Sequence, residues 1–154
     1  MLFVLFQLGA ERYALDAGQV AEVLPLIHVK QIPLAPAGVA GAINYRGAPV
    51  PVIDLGEMAL GRPAQRRLST RIILVHYPDD GGSTHLLGLI AEKATETMRR
   101  DAADFVAAGV RNDAAAYLGP VVADSRGLVQ RIEVKDLLSA PLRDVLFPQA
   151  VEAS

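Results

Sequence analysis

Apolar positions in this chain fall in short runs, each closed by glycine, proline or a polar turn. That is the patterning of strands and not of long helices. Residues 2–8 form such a run, Gly9-Ala10-Glu11 a turn, and 12–16 its return, which predicts a hairpin. Residues 20–26 predict a further strand, with Gln19 and Glu22 as its polar positions. Residues 36–42 predict a short helical turn with Pro36 in its first turn. The segment GAINYRGAPVPVIDL (41–55) then reads as one tight polar turn followed at once by a strand. Asn44 and Gly47 both tolerate positive φ, and the turn pushes Arg46 outward. Val50, Val52 and Ile53 are β-branched strand formers, and Pro49 and Pro51 mark an edge or irregular strand. Asp54 is placed to cap a short helix over 54–58, with Glu57 at capping-box spacing.

The second half has the same texture. Residues 61–69 are a basic loop, 70–77 the most strand-like run of all, and 78–84 (PDDGGST) a hairpin loop. Residues 86–91 and 95–99 resume the sheet. The alanine-rich stretch 99–116 fits either helix or loop. Residues 117–124 and 128–133 predict a hairpin around Ser125-Arg126-Gly127, and 134–147 has helical spacing at Val134, Leu137, Leu138 and Leu142 despite Pro141. The tail 148–154 is expected to fray. No internal repeat stands out. Some ten short strands in two clusters point to two small β-barrels.

Composition narrows the function. The chain has 154 residues, enough for one core or two small subdomains sharing one. A net charge of −2 offers no broad attraction to nucleic acid. The absence of cysteine excludes disulfides and thiolate metal sites and fits a reducing compartment. The apolar start lacks a basic flank and is too short for a signal peptide or a membrane span, so the expectation is a cytoplasmic protein with no membrane insertion.

Candidate chemistry is sparse. His28, His76 and His85 lack the spacing of a metal site, although His76 and His85 would come near each other across the 78–84 hairpin. Asp54 and Glu57 as an acid/base pair compete with the simpler reading of helix capping. No nucleotide-binding or nucleophile-elbow motif is present. Asp79-Asp80-Gly81-Gly82 lacks the alternating acids of a calcium loop. The expectation is therefore no catalytic residue, no metal and no cofactor. Arg46 remains open between an exposed turn residue, a brace paired with Asp54 or Glu22, and a docking residue.

The segment 41–55, together with 6–26 (FQLGAERYALDAGQVAEVLPL), 32–41 (IPLAPAGVAG) and 86–98 (LLGLIAEKATETM), resembles in order and spacing the CheW-like domains of bacterial chemosensory arrays. Tyr45 stands where that pattern usually carries an aliphatic residue. The resemblance implies a mostly β fold: two small five-stranded SH3-like β-barrels in one chain, with short helices and a C-terminal helix. Residues 1–147 would form the domain, with the second barrel drawn mainly from 70–133. It also implies a non-enzymatic scaffold that couples the cytoplasmic tip of a chemoreceptor to the regulatory domain of a CheA-type histidine kinase, with other CheW-like domains as possible ring neighbours. Carried over by motif position, the receptor-facing residues would be Arg46, Asn44, Gly41, Val20, Glu22 and Val23, with Gly47, Asp54 and Glu57 shaping the turn and cap. On one regular strand Val20 and Val23 point to opposite faces, which makes at least one of them a core residue. The rival readings are a catalytic or small-molecule-binding barrel using a cleft between the subdomains, and an adaptor of the same family serving surface sensing or twitching.

Overall fold

The computed structural model describes residues 1–110 and 113–148. Nine strands form the body: β1 (Leu2–Leu8), β2 (Glu11–Asp16), β3 (Val20–Pro25), β4 (Val39–Tyr45), β5 (Ala48–Asp54), β6 (Arg71–Pro78), β7 (Thr84–Arg99), β8 (Leu118–Asp124) and β9 (Gly127–Ile132). Two short helices, α1 (Leu55–Leu60) and α2 (Ala140–Leu146), follow β5 and β9. The strands build two five-stranded barrels that share β7. Residues 84–91 of β7 pair with β6 and, in parallel, with β5; β3 pairs with β6 and β4 with β5. The other half of β7, from Glu92 to Arg99, pairs with β1, which continues through β2 and, in parallel, β9 to β8. Lys93, at φ 49°, lies just past the point where β7 changes partner.

This pairing corrects the expected partition of the chain. Residues 70–133 do not make up a second barrel. Their first part, β6 and the start of β7, completes the barrel of the arginine turn, and their last part, β8 and β9, completes the barrel of the N-terminal hairpin. Long-range parallel pairing decides the matter, and it leaves no local mark on the sequence.

The two barrels also share one topology. In each, the first strand (β3 or the end of β7) pairs with a strand from elsewhere in the chain (β6 or β1). The segment following that first strand then closes the barrel onto a hairpin through one isolated bridge. The bridges are Lys30 to Ala42 and Val106 to Val121. The hairpins are β4–β5 and β8–β9. A structural repeat is therefore present where the sequence shows none plainly.

Three apolar clusters explain the runs that lack alternation. Phe3 and Leu5 of β1 fill the first barrel with Met98, Phe105 and Val129. Ile72 and Leu74 of β6 fill the second with Ile43, Val50, Val52 and Ile90. The residues between them, Val4, Phe6 and Leu8 on β1 and Ile73, Val75 and Tyr77 on β6, face a third, central cluster. Both strands are buried on both faces along most of their length, so residues 2–6 and 72–75 are continuous apolar runs without alternation.

Local corrections have local reasons. Residues 36–42 form a β-turn, Val39 N–H to Pro36 O, and then strand β4, because pairing with β5 recruits the chain from Val39 on. The C-terminal region is two pieces: a 3₁₀ turn Val134–Asp136 and then α2, restarted by Ser139, whose Oγ accepts from Leu142 N–H, with Pro141 in the first turn. Asp54 caps α1, its Oδ1 accepting from Glu57 N–H at 3.2 Å. The reciprocal half of the capping box is not made, since Asp54 N–H donates to Gly38 O instead. Residues 99–116 contain the 3₁₀ turns Ala102–Asp104 and Asp113–Ala115, with 111–112 outside the described residues; so is the tail beyond Pro148.

Candidate functional site

The β4–β5 hairpin turns through Arg46 and Gly47, flanked by the pair Tyr45 and Ala48. Both turn residues have positive φ, 51° and 86°, the geometry whose twist matches a two-residue hairpin. Asn44 Oδ1 accepts from Gly47 N–H at 2.9 Å and fixes the turn from one side. The arginine is thus held at its backbone while its side chain stays 77% exposed.

Glu22 of β3 reaches the same place. Its Oε2 accepts from the Tyr45 hydroxyl at 2.5 Å and lies 3.6 Å from Arg46 Nη2. The Arg46 guanidinium sits 5.0 Å from the centre of the Tyr45 ring, within cation–π range. The hydrogen bond to the Glu22 carboxylate holds the Tyr45 hydroxyl above its ordinary pKa, because losing the proton would place two negative charges together. Of the two braces considered from sequence, Glu22 is the partner of Arg46, and Asp54 is spent on α1 and on Ala64. In the sequence Tyr45 stands out only as a departure from the family pattern. In the structure it joins the acid to the base.

Val20 and Val23 do not face this cluster. Both pack, half-buried, against the central core. They share that direction, which a regular strand forbids, because a bulge between Val20 and Glu22 shifts the register of β3 on β6. Gly41 has a closing role. Its neighbour Ala42 exchanges both backbone hydrogen bonds with Lys30, at 2.8 and 3.0 Å, and a Cβ on Gly41 would lie 1.9 Å from Lys30 O. Beside the turn runs an open groove of about 610 Å³, floored by Ile43, Ala42 and Pro49 and edged by Ile27, His28, Lys30, Asn44 and Gly47. The wall supplied by residues 27–30 had no sequence signal, since it is contributed by an irregular segment.

The other barrel carries a counterpart. Its β8–β9 hairpin presents Arg126, whose Nη2 lies 3.0 Å from Glu96 Oε2 on β7, as Arg46 lies near Glu22 on the equivalent strand β3. A faint sequence trace exists: Asn44-Tyr45-Arg46-Gly47 and Asp124-Ser125-Arg126-Gly127 share an Asx-x-Arg-Gly pattern. The acid also turns the backbone here, Asp124 Oδ1 accepting from Arg126 N–H at 2.8 Å.

Asp124 is also paired with the largely buried Arg12 of β2. The Arg12 hydrogen bond, then that from Arg126 N–H, lowers the Asp124 carboxyl to about 2. A carboxylate depressed on folding stabilises the fold at every pH above its unfolded value, 3.8 here, and the contribution is lost as pH falls toward 2. Asp124→Asn is therefore expected to melt below wild type at neutral pH, with the gap closing between pH 4 and 2. Parallel melting curves over that range check it. A gap independent of pH would contradict the assignment.

The histidines stand apart. Tyr77, not His76, pairs across from His85, so the two histidines point to opposite faces of the hairpin. His85 Nε2 lies 2.7 Å from Asp79 Oδ2, and its ring stacks on Phe147 at 4.4 Å. That hydrogen bond is the main reason the Asp79 carboxyl sits below its usual value. Among the described residues no three His, Asp or Glu side chains converge as a metal site would require. No described helix is long and apolar enough to cross a membrane.

Comparison with known proteins gives a consistent result. Residues 2–142 match the family model of the CheW-like domain. A chemotaxis protein CheW of Treponema pallidum (strain Nichols) is 44% identical over 52 residues, 34% of this chain and 31% of that protein. A chemotaxis protein CheW of Helicobacter pylori (strain ATCC 700392 / 26695) is 29% identical over 98 residues, 63% of this chain and 56% of that protein. The matched stretches thus span less than two thirds of either relative. The crystal structure of the scaffolding protein TtCheW from Thermoanaerobacter tengcongensis superposes with a TM-score of 0.79 at 26% identity, covering 92% of this chain and 89% of that one.

Proposed function

This chain belongs to the CheW-like domain family, and from that membership we propose that it is a non-enzymatic, cytoplasmic coupling scaffold of a chemosensory array. It joins the cytoplasmic tip of a chemoreceptor to the regulatory domain of a CheA-type kinase. The observation that carries the reading is the Arg46 turn: a rigid hairpin that holds an exposed guanidinium between Tyr45 and Glu22, beside an apolar groove. An apolar groove with a charged rim suits a receptor helix. Arg46, Glu22 and Asn44 form the contact side. Gly41, Val20 and Val23 serve it from behind, by closing the barrel and packing β3.

A coupling protein needs a second surface, and the equivalent Arg126–Glu96 hairpin on the other barrel is the candidate for the kinase or for a neighbouring CheW-like domain. Two different ends joined head to tail suit ring assembly, where weak contacts add. The test is sedimentation of receptor-tip assemblies with a kinase regulatory domain. The kinase domain is expected in the pellet only when this protein is present. Kinase sedimentation without it, or none with it, would overturn the coupling role. A receptor and a kinase of a surface-sensing or twitching system substituted in the same assay distinguish the pathways.

A further inference from the structure

Two polar side chains other than tyrosine are buried among the described residues, Asp54 and Thr70, and both hold the same loop. The loop is residues 61–70, between α1 and β6. Both Asp54 carboxylate oxygens accept from Ala64 N–H at 3.1 Å, and Ala64 is sunk into the barrel core. Thr70 Oγ1 donates to Gln65 O at 2.5 Å and accepts from Arg67 N–H at 3.2 Å. Thr70 N–H donates to Arg67 O, and Ala94 N–H on β7 donates to Ser69 O. Buried polar groups are costly unless satisfied, and here loop backbone satisfies them. The loop is thereby fixed to the barrel at both of its ends.

The loop so fixed displays an unusual surface. Arg62, Arg66 and Arg67 are exposed, and the ion pairs among the described residues are made by other cations. Leu68, directly after Arg67, is fully exposed, at 100%. Exposed Lys93 shares a small cavity with Ser69 at the end of the loop. These cations gather on a chain whose net charge is −2. The loop also lies apart from the arginine turn. Asp54 and the Arg46 turn are at opposite ends of β5, roughly 20 Å apart at the rise of a strand, so both can be occupied at once.

We propose that residues 61–70 form a preformed docking site for an acidic segment of a partner protein. The three guanidinium groups take its carboxylates, and Leu68, next to Arg67, takes an apolar side chain. Anchoring the loop beforehand removes the ordering cost that a flexible arginine loop would meet on binding, and the unpaired charge favours and steers an acidic partner.

The test is an amide-shift titration of the whole protein with a short glutamate-rich peptide carrying a central leucine, alongside its lysine-for-glutamate counterpart, phosphatidylserine vesicles and a single-stranded oligonucleotide. The acidic peptide is expected to shift amides of residues 62–69, to bind more weakly as salt rises, and to lose about tenfold or more in affinity in the Arg66→Glu/Arg67→Glu variant. Thr70→Val keeps every arginine but frees the loop, and is expected to weaken binding several-fold; a melt run alongside shows whether the fold persists. Receptor-tip binding by the charge-reversed variant is expected to match wild type, which separates this site from the coupling site. Shifts mapping elsewhere, unchanged affinity on charge reversal, or loop shifts produced only by vesicles or oligonucleotide would overturn the proposal.

Discussion

Gly41→Ala is expected to unfold the barrel that carries the arginine turn. The added Cβ would sit 1.9 Å from Lys30 O and 2.8 Å from its carbonyl carbon, both backbone atoms, so no rotamer change relieves it. The φ of 144° is itself one that residues with a side chain rarely adopt. Relief requires residues 30–31 to move, and that breaks the Lys30–Ala42 bridge, the link that joins the segment after β3 to β4. Strained backbone and lost closure together place the expected cost above about 4 kcal/mol, a large part of the roughly 5–15 kcal/mol that a domain has in all. Gly47→Ala is the control. Nothing lies within 4 Å of its added Cβ, so only the strain at φ 86° remains, on the order of 1 kcal/mol. Thermal or denaturant melts of the two variants check the contrast. A Gly41→Ala protein melting within a few degrees of wild type would show that the closure of the barrel does not depend on that approach.

That glycine illustrates what was legible beforehand and what was not. Features decided within a few residues could be read: the hairpin of β1 and β2, the turn at Asn44–Gly47, the cap at Asp54. Each depends on a local preference for φ, for alternation or for a side-chain hydrogen bond. The family resemblance makes Gly41 one of the receptor-facing residues around the turn. Its actual constraint comes from Lys30, eleven positions earlier, brought close by barrel closure. The partition into barrels failed for the same reason. It depends on two parallel pairings, β2 with β9 and β5 with β7, whose members are far apart in the chain. The sequence predicts two strands, 86–91 and 95–99, because Glu92 and Lys93 interrupt the apolar run, yet there the single sixteen-residue β7 passes from one barrel to the other. The bulge that turns Val20 and Val23 to one side is likewise invisible in a run of apolar residues, since a shift of one position changes faces without changing composition.

At the turn itself the expected effect falls on binding. Arg46→Ala should cost the fold at most about 1 kcal/mol, because the pair with Glu22 is long, at 3.6 Å, and the arginine side chain is 77% exposed. An arginine anchoring an interface contributes about 2 kcal/mol or more, roughly thirtyfold in Kd, so affinity for a receptor-tip fragment should fall far more than stability does. Arg46→Lys keeps the charge but loses the planar group that lies over Tyr45, and it should recover only part of the loss. Tyr45→Phe tests the arrangement from the other side. It removes the hydroxyl that holds Glu22, leaving that carboxylate free to swing onto Arg46 and compete with the partner. It should weaken binding while leaving Arg46 intact, and raised salt should relieve that competition. One titration series with the receptor-tip fragment at two salt concentrations, with melts alongside, reads all four proteins. Equal affinities for wild type and Arg46→Ala would remove the turn from the receptor contact and leave the Glu22–Tyr45–Arg46 cluster as a brace between β3 and β4.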